Sequence, residues 1–381
     1  MRKKYLLTPG PTPIPPEVLV KAAEPIIHHR TAEFRTAFGE FNEGLKYLFQ
    51  TKNDVLTFAS SGTGAMEAAV VNLLSPGDKA IAVSAGKFGE RWGELCRAYN
   101  VNVIEVKVPD GSVVEPAKIK QLLDENKDTK AVFTTQCETS TGAITDIEAI
   151  GNIVSATNAV LVVDAISSLG AEDLQTDNWY VDCVVSGSQK GMMLPPGLAF
   201  CSVSEKAMNA AKNSKSPKYY FDFKKAKKAV EKTDTPFTPA ISLILSGNVS
   251  LRLIREQGLE KIFARNKVLA EATRAAVTAL GLKLFSKTFC RVLTATEAPA
   301  GIAASQIVKI MRDKYGVSIA EGQGEALKDK IIRIAHLGYI QTFDVITAIS
   351  ALELALTELG YKLELGKGVQ AAEKVFAASA C

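Results

Sequence analysis

The sequence predicts an α/β fold: a large domain with a mostly parallel seven-stranded sheet covered by helices, followed by a smaller α+β domain. Two observations carry this. Short apolar runs recur at 54–60, 79–84, 101–106, 130–135, 159–164, 183–186 and 198–202, and the run at 159–163 is Ala-Val-Leu-Val-Val with no polar alternation, as expected of a strand buried on both faces. Most intervening stretches are long enough to hold a helix, the connection that parallel neighbours require. The pattern changes after Ser204. A helical stretch at 241–280, broken near Gly258, leads to the second domain. There strands are expected at 282–285, 291–294, 317–320 and 330–335, and helices at 303–315 and 341–359. The division is a Pro-rich segment over 1–20, a large domain over 21–260 and a small one over 261–381. The tail from 365 onward reads as a helix or a frayed end.

Composition narrows the function. A chain of 381 residues, 47% apolar and 23% charged, is ordinary for two domains with sizeable cores. Its net charge of +4 is small, and the cluster Lys224-Lys225-Ala226-Lys227-Lys228 shares its stretch with Glu231 and Asp234. That is a solvated helix face, so no nucleic-acid partner is expected. The six cysteines, at 96, 137, 183, 201, 290 and 381, include no Cys-x-x-Cys pair and lie partly in strand-like runs. Reduced, buried thiols and a cytoplasmic location follow. With only His28, His29 and His336, no metal site is expected. No apolar stretch approaches eighteen residues and the N-terminus lacks a signal-peptide core, so no membrane association is expected.

Along the chain, Thr8 to Pro16 holds five prolines and cannot be helix or central strand. His28-His29-Arg30 with Arg35 makes either an anion-friendly entrance or an ordinary helix start. The strand at 54–60 runs into Ser61-Gly62-Thr63-Gly64-Ala65 and a helix. Small residues there let backbone N–H groups approach a phosphate at the positive end of the helix dipole. Glu67 stands where a dinucleotide fingerprint needs its third glycine, and no Gly-Lys-Ser/Thr follows. Phe88 and Thr139 lie in loops just past strand ends. Asp164 closes the most apolar strand, as a cap for 165–168 or as the partner of a cationic ligand atom. Lys190 ends the turn Ser186-Gly187-Ser188-Gln189-Lys190, and a sheltered lysine amine can attack an aldehyde. An aspartate and a lysine at neighbouring strand ends suit pyridoxal 5′-phosphate, one for the ring nitrogen and one for the aldehyde carbon. Arg333, between isoleucines in a strand, offers a planar fork for a carboxylate.

The motifs Leu161-Val162-Val163-Asp164-Ala165-Ile166-Ser167-Ser168-Leu169-Gly170 and Ser186-Gly187-Ser188-Gln189-Lys190 resemble those of class V aminotransferases, in the alanine–glyoxylate and serine–pyruvate branch. The resemblance implies an aspartate-aminotransferase-like fold that binds pyridoxal phosphate in its large domain. It makes Lys190 and Asp164 catalytic. Thr63, Gly64 and Ala65 fall at the cofactor phosphate, Phe88 on the ring face, Thr139 at the phenolic oxygen or the substrate, and Gln189 in the cofactor-binding set. Arg333 corresponds to the substrate-carboxylate arginine, and Gly10 to a Gly-Pro segment beside the active site. Thr238, between Pro236 and Pro239, corresponds to a loop that reaches the partner's phosphate in a homodimer with shared sites. Many relatives carry tyrosine where Thr235 stands, which removes one group from that contact. The implied activity moves an amino group from alanine or serine to glyoxylate or pyruvate. Alternatives are a 2-aminoethylphosphonate-type transaminase, a desulfurase using Cys290, or a catalytically silent scaffold subunit of the same fold.

Overall fold

The computed structural model describes residues 3–379. Seven strands form the large sheet: β1 (Val55–Ser60), β2 (Lys79–Ser84), β3 (Asn102–Lys107), β4 (Thr129–Thr135), β5 (Val160–Asp164), β6 (Cys183–Gly187) and β7 (Gly197–Val203). They lie in the order β1-β7-β6-β5-β4-β2-β3, and only β7 runs antiparallel to its neighbours. The two-residue period of each strand divides its side chains between two cores. Ile81, Val83, Leu161, Val163 and Val184 face a core that includes Phe34, Phe38 and Phe41. Ala80, Ala82, Val160, Val162, Cys183 and Val185 face another, with Met66, Trp92 and Phe133. Burial on both faces explains why these strands read as unbroken apolar runs.

A separate core is built around β8 (Leu293–Glu297), β9 (Ala320–Glu321) and β10 (Ile331–Ala335), in the antiparallel order β8-β10-β9, and takes in Leu7, Cys137 and Ala171 from earlier in the chain. Gly258, at φ +83°, breaks the long helical stretch into Ile241–Gln257 and Leu259–Ala279. Leu259, Ile262 and Phe263 pack in the large core, whereas Leu269, Ala272, Ala276 and Val277 pack in the small one, so one helix spans both.

Three expected strands are corrected. The one at 282–285 reduces to a single bridge between Leu284 and Thr296, with the Phe285 amide donating to the Ala295 carbonyl. The one at 291–294 starts later, at Leu293, because the preceding amides are taken elsewhere. Cys290 N–H donates to the Gly142 carbonyl and Arg291 N–H to the Glu172 carboxylate, both in the large domain. The one at 317–320 divides: Val317–Ser318 pairs in parallel with the N-terminal Tyr5–Leu6, while Ala320–Glu321 joins β10.

The tail from Lys367 to Ser379 is a helix, and Cys381 lies outside the described residues. The docking of this helix depends on Glu353, buried on the helix Thr342–Glu358. Its carboxylate accepts from the amides of Gly366 at 2.6 Å, Gly368 at 2.7 Å and Val369 at 3.3 Å, satisfying the start of the last helix. Glu353→Ala is expected to lower stability by about 2–3 kcal/mol, the order of buried hydrogen bonds to a charged acceptor. Urea unfolding measures the loss, and faster hydrogen exchange at Gly366, Gly368 and Val369 locates it.

Candidate active site

Parallel strands bring their carboxyl ends to one edge, and ligands of open α/β sheets sit beyond that edge. The segments following β1, β2, β4, β5 and β6 meet there. They line a cavity of about 180 Å³ with Ser61, Gly62, Thr63, Phe88, Arg91, Thr139, Asp164, Ile166, Ser167, Gln189 and Lys190.

Lys190 sits in the turn after β6. Its Nζ donates to the Pro9 carbonyl at 2.5 Å, and Gly10, at φ +144°, lies flat against the chain. A methyl group on Gly10 would stand 2.1 Å from Nζ. Only glycine both adopts that backbone angle and leaves this room. Burial disfavours the ammonium and lowers the Lys190 pKa to about 8, with Asp164 opposing the shift and Arg333 adding to it.

Asp164 ends β5 and is buried. One oxygen accepts from the Ile166 amide at 2.8 Å, which is the capping contact; no group of the described residues bonds the other, and the residue lines the cavity. Burial pushes the carboxyl up to about 7, with Glu138 raising it further and the Ile166 bond, Arg91 and Lys190 opposing. An acid in this position is unfavourable as an anion until a cationic group faces it.

Thr63 opens the helix Gly62–Leu73, whose N-terminus has no side-chain cap at Ser61. The amides of Gly62 and Thr63 are therefore available at a positive helix end. A methyl group on Gly187 would come within 3.1 Å of Gln189 Oε1 and 3.2 Å of the Gly62 nitrogen. The buried Gln189 Oε1 has no partner among the described residues. Gly64 and Ala65 sit deeper. A methyl group on Gly64 would stand 1.9 Å from Ser60 Oγ and 3.0 Å from the Phe221 ring, Ala65 is fully buried, and neither residue lines the cavity.

Phe88 lines one wall. Thr139 Oγ1 donates to Ser167 Oγ at 2.8 Å. Arg333 is buried at 7% exposure and does not itself line the cavity, but its guanidinium bonds the carbonyl of Thr139, which does. Nε and one terminal nitrogen donate to the Glu321 carbonyl at 3.0 and 2.7 Å, and the other terminal nitrogen to the Thr139 carbonyl at 2.8 Å. Burial lowers its pKa to about 10, so it stays charged. Three of five N–H groups are thereby used, and one remains on each terminal nitrogen.

Thr238 lies elsewhere in the same chain, beside Tyr220, Thr235 and Phe237. Cys290 is buried and bonds the Leu293 carbonyl, which leaves it no route to a substrate. His336 bonds Thr294 Oγ1 and the Arg291 carbonyl, and burial lowers it to about 3: it is a neutral core histidine. Arg30 of the expected anion entrance pairs with Asp234 at 2.5 Å. No helix of the described residues is long and apolar enough to cross a membrane.

Sequence reasoning missed Arg91, whose guanidinium donates to Thr63 Oγ1 at 3.1 Å and lies 5.4 Å from the Phe88 ring centre. The spacing from Phe88, one helical turn, puts the two on one face and was the available signal. It also missed the Pro9 carbonyl, which no local pattern marks.

These features fit pyridoxal phosphate. An uncapped helix start with Thr63 and Arg91 suits a dianion, the free Asp164 oxygen suits a protonated ring nitrogen, the Phe88 ring suits a flat ligand, and the Lys190 amine suits an aldehyde.

Comparison with known proteins agrees. The aminotransferase class-V family model matches residues 4–339. The chain is 45% identical to the "soluble hydrogenase, small subunit" of a Synechococcus strain, over 98% of each chain. It is 36% identical to the L-aspartate–glyoxylate aminotransferase of Paracoccus denitrificans, over 97% of this chain and 95% of the relative. The crystal structure of ureidoglycine–glyoxylate aminotransferase from Bacillus subtilis superposes with a TM-score of 0.95, at 28% identity and 99% coverage of both chains. With the family model spanning most of the chain and the whole fold matched, this chain belongs to the class V aminotransferases and is a pyridoxal-phosphate-dependent enzyme of that family.

Proposed function

We propose that the protein is a transaminase that carries the amino group of a small amino acid, alanine or serine, to a small 2-oxo acid, glyoxylate or pyruvate. The observation that carries the reading is the buried Lys190 amine in one cavity with Asp164 and with Thr139, whose carbonyl holds Arg333. Relatives named for glyoxylate support that acceptor. A small donor suits a cavity whose Lys190 side is already covered by Pro9 and Gly10.

The chemistry supplied by bound pyridoxal phosphate is an electrophilic carbon for the donor nitrogen and a ring that takes up electrons. Lys190 Nζ, unprotonated, accepts the proton from the donor's Cα. Asp164 as an anion faces the ring nitrogen and holds its proton there. Thr63, the Gly62 and Thr63 amides and Arg91 bind the phosphate. Arg333 orients the donor carboxylate with its two remaining N–H groups, its plane already fixed by the Glu321 and Thr139 carbonyls. The name of the hydrogenase-subunit relative supports a second reading, a silent scaffold, which absence of any turnover on cofactor-loaded protein would favour.

Borohydride reduction of the loaded protein followed by peptide mapping should label Lys190, and Lys190→Ala should abolish turnover. Only the neutral amine captures the aldehyde, so the rate of cofactor uptake by stripped protein should rise with pH and level off above about 8. Label on another lysine, or a rise continuing to 10.5, the ordinary lysine value, sinks the assignment.

Arg333→Ala should lose about 30- to 1000-fold in kcat/KM for the amino acid, with Arg333→Lys between it and the parent. Cofactor content and the slow turnover of amines lacking a carboxylate should hardly change. Equal losses for both donor classes would make Arg333 a support of the fold.

The Thr238 loop carries the exposed rings of Tyr219 and Tyr220 against Phe237, a surface suited to a second copy. In a homodimer with Thr238 acting across the interface, mixing Lys190→Ala with Thr238→Ala chains restores one intact site per mixed dimer. Activity no higher than the sum of the two parents would count against sharing.

A further inference from the structure

We propose that Glu138 is a positioning residue that sets the cofactor's ring and phosphate partners and the Arg333 fork together; this rests on reading the Lys190 cavity as the pyridoxal-phosphate site. Glu138 does not line that cavity. It is 1% exposed, and its carboxylate docks the first turn of the helix Lys87–Ala98. The N-cap of that helix is Gly86, which has no side chain to offer. Glu138 instead accepts from the Phe88 amide at 3.2 Å and the Gly89 amide at 2.9 Å. Ser140 Oγ accepts from the Lys87 amide at 3.1 Å and donates to Glu138 at 2.5 Å. Three successive helix-start amides are thus satisfied from one foreign loop, where a negative charge also suits the helix dipole.

The approach is close enough to dictate Gly86. A methyl group there would stand 2.5 Å from Ser140 Oγ and 2.7 Å from Glu138 Cγ. The docked turn is the one that presents Phe88 to the cavity and, a turn later, Arg91 to Thr63. On its other side the Glu138 loop continues into Thr139, whose carbonyl takes an Arg333 N–H and whose hydroxyl holds Ser167. One buried carboxylate therefore sets both the wall that faces the cofactor and a carbonyl that orients the substrate arginine. Burial pushes the Glu138 pKa up while the Ser140, Gly89 and Phe88 bonds oppose the shift, so the charge depends on those donors.

The test uses Glu138→Gln, in which the shape is kept but an amide N–H₂ faces one of the helix amides. Stripped wild-type and variant proteins are titrated with pyridoxal phosphate, the loaded proteins are compared by visible circular dichroism, and KM and kcat for the donor are measured separately. Loss of one or two charge-assisted bonds should raise the cofactor Kd about tenfold or more. The visible dichroism of the bound cofactor should change and donor KM should rise, while borohydride still labels Lys190. A variant with lowered thermal stability but wild-type Kd, dichroism and KM would overturn the positioning role. Ser140→Ala, which leaves the carboxylate and removes one of its donors, should shift the same three readouts in the same direction by less, and decides the matter if Glu138→Gln fails to fold: wild-type values in that variant would overturn the proposal. Failure of the wild-type protein itself to take up pyridoxal phosphate would instead overturn the reading of the cavity, and the proposal with it.

Discussion

The contact on which the arrangement depends is the one between the Lys190 amine and the Pro9 carbonyl, with Gly10 pressed against the lysine chain. It joins the first residues of the chain to the centre of the large sheet. The same N-terminal segment pairs Tyr5 and Leu6 with Val317 and Ser318, and the Leu7 carbonyl accepts from the Ala335 amide, two residues beyond Arg333. Thr12 returns to the large domain, donating to the carbonyls of Gln189 and Lys190. A short, proline-stiffened segment thus ties the strand carrying Arg333 to the turn carrying Lys190. Its low conformational freedom in the unfolded chain reduces what ordering it costs.

The site concentrates charge in a region that water barely reaches. Lys190, Asp164, Glu138 and Arg333 are each shifted toward the neutral form by burial, and each is opposed by at least one of the others or by fixed hydrogen bonds. Isolated burial of any one would be costly. Strongly shifted titratable groups gathered beside one cavity are the electrostatic mark of a functional site. The same balance makes Arg333 hold its charge, since its pKa of about 10 still lies well above neutrality.

Away from the cavity, buried polar groups tie the two domains together without chemistry. Glu172, pushed up to about 7 by burial, accepts from the Arg291 amide across the domain boundary. That contact, with the bond from the Cys290 amide to the Gly142 carbonyl, takes the amides of residues 290 and 291 away from the neighbouring strand, which is why β8 begins later than its apolar pattern suggests.

Much of this was legible in the sequence. The seven sheet strands, the break at Gly258 and the small-domain helices follow from local periodicity and chain stiffness, and the aspartate, the lysine and the arginine were marked by apolar strands ending in, or enclosing, a single charged residue. Thr63, Phe88, Thr139 and Gln189 stand on the cavity for the same reason: each follows a strand's carboxyl end, and a parallel sheet collects those ends. Tertiary structure alone decided the rest. Whether 282–285 pairs, how 317–320 divides between two sheets, that Arg91 turns toward Thr63, and that Glu138 rather than a local residue caps the helix at Gly86 all depend on partners 12 to more than 300 residues distant in the chain. Local pattern reports burial and period; hydrogen-bond partners between loops are settled only when packing brings them within about 3 Å.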